Sequence, residues 1–192
     1  MNDNSRAILA AIGASLVVFI VCALGYAIIV VPGLPQNFGG SVLYWMVGAF
    51  LMALGLLWAC WVFVYRRPKE FFVSTFYTFK KALTRTKPSV PLGRSEPFIV
   101  DGPYLYVRNP TYFGAFVALA GFAFLLGRTF LLAAALGLLI WFNLVVIPYE
   151  EKEMKALFGQ DYITYTRMVP AFIPSAKVAR KNPKPTRSGS RR

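Results

Sequence analysis

An apolar, uncharged run from Ala7 to Val31 restricts the fold of this chain more than any other feature. A helix needs about 20 apolar residues to cross the hydrocarbon core of a bilayer, and this run exceeds that. It is too long for the core of a signal peptide, and no small-residue cleavage signal follows it. Pro32-Gly33-Leu34-Pro35 ends the run, and residues 36–41 form an uncharged turn. A second span is predicted from Val42 to Tyr65, with Gly48 and Gly55 suited to close helix contact. Hydrophobic residues make up 57% of the 192, and the mean hydropathy is +0.53. A soluble domain of this length does not need so much apolar surface, so the chain reads as an integral membrane protein.

Two more spans are expected after a long polar segment. Residues 71–83 are rich in aromatics and suit an interfacial helix, and residues 87–97, with three prolines and a glycine, an irregular loop. Asp101-Gly102-Pro103 is a turn signal. Pro110 suits the first turn of a third span reaching Leu126, which is short for a full crossing. Gly127-Arg128-Thr129 is the hairpin tip, and Phe130 to Ile147 is the fourth span. Pro148 should then kink the helix, and Gly159 should stop it. The fold class is therefore all-α: a polytopic membrane helix bundle of about four transmembrane helices plus interfacial helices, with no internal repeat.

Charge sets the orientation and narrows the partners. Lys and Arg number 21 against 8 Asp and Glu, a net charge of +13. The cations lie between and after the apolar runs, so anionic headgroups of the lipid bilayer are their expected counterions, and nucleic acid is not. Residues 66–110 carry nine Lys/Arg and residues 149–192 carry ten, whereas residues 32–41 carry none and the hairpin tip has only Arg128. The positive-inside rule then puts both ends of the sequence, and the polar segments, in the cytoplasm. Cys22 and Cys60 lie within spans and build neither a disulfide framework nor a metal site. Histidine is absent, which leaves Glu, Asp, Lys, Tyr or substrate groups for any proton transfer.

The polar run GPYLYVRNPTYFG, Gly102 to Gly114, and the triplet Tyr149-Glu150-Glu151 flank the second hairpin. The hairpin returns them to one membrane face, so Arg108, Asn109 and Pro110 should lie close to Glu150 and Glu151. Glu150, Met154, Leu157 and Phe158 share one helical face, by spacings of four, seven and eight. Glu151 has Lys155 one turn on, the favourable order for a surface ion pair. Glu150 lies on the apolar side and needs another partner. That partner is a ligand, or, if the site is purely structural, Arg108 or Arg167.

Taken together these motifs resemble the isoprenylcysteine carboxyl methyltransferase-like family of integral membrane methyltransferases, which includes phospholipid methyltransferase relatives. The family's pattern is G-x-Y, then R-H-P-x-Y-x-G, an apolar hairpin, E-E, F-G-x-x-Y-x-x-Y, and V-P with a following proline. Here it reads Gly102-Pro103-Tyr104, Arg108-Asn109-Pro110-Thr111-Tyr112-Phe113-Gly114, Glu150-Glu151, Phe158 to Tyr165, Val169-Pro170 and Pro174, within residues 85–175. The resemblance implies a pocket for S-adenosylmethionine. It implies cofactor contacts from Ser89, from Glu96, Pro97, Phe98 and Ile99, and from Tyr104, Arg108, Asn109, Pro110, Tyr112 and Glu150. Arg108, Glu150 and Glu151 are the candidate catalytic residues, with Arg108 on the cofactor's carboxylate or fixing the loop. The implied organisation is two N-terminal helices in residues 1–65, a methyltransferase core in residues 66–174 and a disordered basic tail in residues 175–192.

Two departures qualify the resemblance. Asn109 replaces the R-H-P histidine, so only a hydrogen-bonding role survives there. Val146 stands where members that methylate prenylcysteine carry a substrate-binding arginine, and Ala171 replaces the common arginine after V-P. The implied function is a membrane methyltransferase that uses S-adenosylmethionine on a lipophilic acceptor, a carboxylate first. A phospholipid amine is the alternative within the class, and a non-catalytic membrane protein that keeps the fold is the alternative outside it.

Overall fold

The structure is a computed structural model that describes residues 3–68, 72–73 and 100–175. Helix α1 is Asp3–Val30 and α2 is Val42–Tyr65. A single 3-10 turn, Gly102–Leu105, precedes α3, Pro110–Leu126. Helix α4 is Thr129–Trp141, a π-helical turn covers Phe142–Val146, and α5 is Ile147–Met168. No strand occurs among the described residues, and the fold is an all-α helix bundle. Three helical stretches are long and apolar enough to cross a membrane: Asn4–Val30, Val42–Tyr65 and Thr129–Met168. The 17 residues of α3 form a shorter apolar helix, about 26 Å long at 1.5 Å per residue. The predicted helix at residues 71–83 and the tail after residue 175 lie outside the described residues.

Outward-facing side chains along the spans are apolar. Phe19 is 70% exposed and Leu57 69%, which only a lipid solvent tolerates along whole helices. Between spans the contacts are made by small residues, because lipid removes the hydrophobic drive that joins helices in water. The most extensive pairing is α2 with α3. At Gly48 an added Cβ would stand 2.5 Å from the backbone nitrogen of Leu125, and at Gly55 it would strike Ala118. Helix α1 packs on α4 in the same way, with Gly25 against the Phe130 carbonyl and Tyr26 edge-on to Phe130.

The two hairpin tips are pinned to each other. Phe38 N donates to Gly127 O at 3.1 Å, and Thr129 N donates to Gln36 O at 3.0 Å. Arg128 Nη1 donates to Asn37 Oδ1 at 3.0 Å. Gly127 turns the tip with φ of 61°, a left-handed conformation that glycine adopts without cost. With both tips at one end, the end of α2, the 3-10 turn and the start of α3 share the other.

The expected disruption of the helix ladder at Pro148 takes the form of the π turn just before it, and helical backbone continues through the proline. Asn143 donates from Nδ2 to Leu139 O at 2.8 Å, supplying a hydrogen bond to a carbonyl where the ladder shifts. Gly159 stops the first helical stretch of α5 as expected: its φ of 53° and ψ of −126° are not helical, and the chain kinks there before a second helical stretch runs on to Met168.

The tight α2–α3 crossing yields a stability test. Gly48→Leu should lower the thermal midpoint of the detergent-solubilised protein by several degrees, since overpacking costs about 1–3 kcal/mol. Gly13→Leu, with nothing within 4 Å of its added Cβ, should leave the midpoint unchanged. Equal midpoints for the two variants would contradict the crossing.

Candidate functional site

The polar end is built around a small core and a backbone clasp. Val100, Tyr162, Tyr165 and Val169 form a buried cluster, with Leu105, Met154 and Phe158 packed on it. Two of the residues placed on the apolar face of α5, Met154 and Phe158, thus face this core. Tyr165 Oη donates to Tyr104 O at 2.7 Å, tying α5 to the 3-10 turn. Residues 170–175 then run back along residues 106–109. Arg108 N donates to Pro170 O at 2.9 Å, and Ser175 N donates to Tyr106 O at 3.0 Å. Asn109 Nδ2 completes the clasp by donating to Ala171 O at 2.9 Å. The amide at the R-H-P histidine position is therefore engaged with the backbone of this chain.

Arg108 braces the same region from the side chain. Its Nη2 donates to Glu151 Oε1 at 2.6 Å, and its Nη1 donates to Thr166 O at 2.6 Å. The paired side chains are only 12% and 15% exposed, so solvent screens the pair weakly. Lys155 is the looser partner of Glu151, at 3.9 Å and largely in solvent. The structural alternative that paired Arg108 with Glu150 is corrected: Arg108 goes to Glu151, and Arg167 is exposed near the end of α5.

Glu150 has a different environment. Tyr112 Oη donates to Glu150 Oε1 at 2.6 Å. The Tyr112 ring stacks on Phe142 with centroids 4.6 Å apart and planes 29° apart. Phe142 opens the π turn, so the extra residue in that turn sets both the stacking ring and the direction in which Glu150 points. The adjacent glutamates thus take separate roles: Glu151 in the brace, Glu150 beside the tyrosines.

Tyr104 stands next to Glu150. Burial pushes its phenol above the ordinary tyrosine range; the Arg66 cation lowers it in part, and the Glu150 charge raises it. It stays protonated at neutral pH and is available as a donor. By geometry its buried hydroxyl has no hydrogen-bond partner among the described residues, although the Arg66 and Thr111 side chains lie near enough to lower its pKa. Arg108 Nε is likewise buried and unpaired. Pro110 is fully buried at the start of α3, where its fixed φ suits the first turn. The remaining candidates, Ser89, Glu96, Pro97, Phe98 and Ile99, lie outside the described residues.

Three features of the site escape the sequence reading. Arg66 is the first charge after the second span, which is the signal that would have found it. Glu153 is 6% exposed, and its position three residues after Glu150 puts it near the same face. The stacking of Phe142 on Tyr112 has no sequence signal.

The phospholipid methyltransferase family matches residues 43–161, more than half of the chain. A Protein-S-isoprenylcysteine O-methyltransferase of Schizosaccharomyces pombe is similar, at 38% identity over 77 residues, which are 40% of this chain and 32% of that protein. Protein-S-isoprenylcysteine O-methyltransferase B of Arabidopsis thaliana is 32% identical over 77 residues, 40% of this chain and 39% of that protein. The matched stretch thus spans only 32% to 39% of the length of these relatives. No solved structure matches the chain. The family match runs from the start of α2 through the Glu150-Glu151 pair, and on it the chain belongs to the phospholipid methyltransferase family.

Proposed function

We propose that this protein is an integral membrane methyltransferase that uses S-adenosylmethionine to methylate a lipophilic acceptor, with a carboxylate as the favoured nucleophile. The observation that carries the reading is Glu150, oriented by Tyr112 and set beside the buried, unpartnered Tyr104 hydroxyl. These groups fit the cofactor: a carboxylate suits its ammonium, and a buried hydroxyl without a partner suits a polar atom of the ligand. When bound, S-adenosylmethionine supplies a methyl group already activated by a sulfonium.

The chain's own residues then position reactants and exclude water. Glu150 would hold the amino end of the cofactor, with Tyr112 and Tyr104 as pocket walls. Arg108, Glu151 and the carbonyl of Thr166 keep the start of α3 and the middle of α5 at a fixed separation. A carboxylate acceptor is already ionised and needs no base, which agrees with a site that has no histidine. The acceptor enters from the bilayer, where the spans expose apolar faces. The names of the two relatives, both O-methyltransferases, favour an ester product. The description of the matching family favours phospholipid as the second reading, in which an amine must first lose a proton to Glu150 or Glu151.

Glu150→Gln should weaken S-adenosylmethionine binding at least tenfold in calorimetry on the purified protein, about 1.4 kcal/mol or more for a charged hydrogen bond. Glu151→Gln should change affinity less and lower the thermal midpoint, because it removes the anion from the Arg108 brace. Equal affinities of wild type and Glu150→Gln would refute the assignment.

The cation distribution and the shared end of the two hairpin tips support a cytoplasmic site with both ends of the sequence on that side. After replacement of Cys22 and Cys60, an impermeant thiol reagent on intact cells should label Asn37→Cys and spare Ser188→Cys. The opposite pattern would reverse the orientation.

A further inference from the structure

We propose that Arg66, and not Arg108, receives the carboxylate at the amino-acid end of the cofactor, opposite Glu150. The inference rests on the methyltransferase reading and assigns a residue that the family's motifs do not single out. Arg108 is already committed. Both of its terminal nitrogens donate within the protein, to Thr166 O and to Glu151. Turning it to a ligand would leave Glu151 with only the distant Lys155 and would open the clasp between α3 and α5.

Arg66 is placed by packing at the end of α2. Tyr65 lies against Gly102, where an added Cβ would stand 2.6 Å from the ring's Cζ and would force the ring to move. Gly102 also has φ of 60°, a second reason for glycine there. One turn earlier Trp61 packs on Tyr106, with centroids 5.8 Å apart. These two contacts fasten the end of α2 to the 3-10 turn and bring Arg66, half-buried, beside Tyr104.

The charges around that point match an amino-acid zwitterion. Arg66 and Glu150 both act electrostatically on the hydroxyls of Tyr104 and Tyr112, so a cation and an anion flank one pair of phenols. An α-amino acid presents its ammonium and carboxylate on a single carbon and needs both charges close together. The protonated Tyr104 hydroxyl, buried and without a partner among the described residues, adds a neutral donor for the carboxylate. Arginine suits this task because its planar fork binds a carboxylate through two parallel hydrogen bonds.

The test compares S-adenosylhomocysteine with its decarboxylated analogue, by calorimetry on the full chain in lipid nanodiscs. Wild type should bind the carboxylate-bearing ligand at least tenfold more tightly. Arg66→Gln should bring that ratio close to one and leave affinity for the decarboxylated analogue unchanged. Arg108→Gln should keep the ratio and lower the thermal midpoint. If Arg66→Gln does not fold, Arg66→Lys serves in its place; it keeps the charge but loses the fork, and should reduce the ratio severalfold. Retention of the wild-type ratio in the folded Arg66 variant would overturn the assignment and make Arg66 a contact for lipid headgroups or the acceptor. A wild-type protein that binds neither ligand would instead overturn the methyltransferase reading itself, and this inference with it.

Discussion

The guanidinium of Arg108 holds the polar end of this protein together. One terminal nitrogen engages Glu151 and the other the carbonyl of Thr166, so a single side chain ties the start of α3 to two positions on α5. Few other forces are available there. The spans face lipid, which contributes no hydrophobic drive for joining helices, and the described soluble-side core is a cluster of four buried residues. A largely buried ion pair of this kind is destabilising to break, because the remaining charge is left without a partner. The backbone clasp from Arg108 N, Asn109 and Ser175 holds the same junction from the other side.

With the junction fixed, local geometry separates two adjacent carboxylates. Successive residues of a helix point about 100° apart, so Glu150 and Glu151 cannot serve one partner in the same way. Glu151 meets Arg108. Glu150 meets Tyr112, whose ring is held by Phe142 on the π turn. The extra residue in that turn shifts the helical register just before the glutamates. A feature inside the membrane thereby aims a carboxylate at its edge.

Much of the fold was legible because apolar run length and turn residues act locally. The second and third helices begin and end where Ser41, Pro110 and Gly127 signal. Gly48 and Gly55 in α2 mark the crossing with α3, since only a missing side chain allows such an approach. The divergence of Glu150 from Glu151 followed from helical geometry, but the identity of their partners did not. Arg108 was as well placed for either carboxylate in sequence, and only the fold shows it spent on Glu151. The commitment of Asn109 to Ala171 joins residues 62 positions apart, and no spacing rule reaches that far. Pro148 signals a disrupted ladder in the sequence, but not that the disruption is a π turn over the five residues before Ile147. Arg66 looked like one more interfacial charge; its place beside Tyr104 depends on the packing of Tyr65 against Gly102.

Methyl transfer itself is the most direct test of this account. Purified protein in bilayers containing total membrane lipid would be supplied with methyl-labelled S-adenosylmethionine, and the organic-phase label counted. The account predicts label in the lipid fraction, released by mild base as expected of an ester, and lost in Glu150→Gln. Transfer of equal size in wild type and Glu150→Gln, or no transfer from wild type, would contradict it.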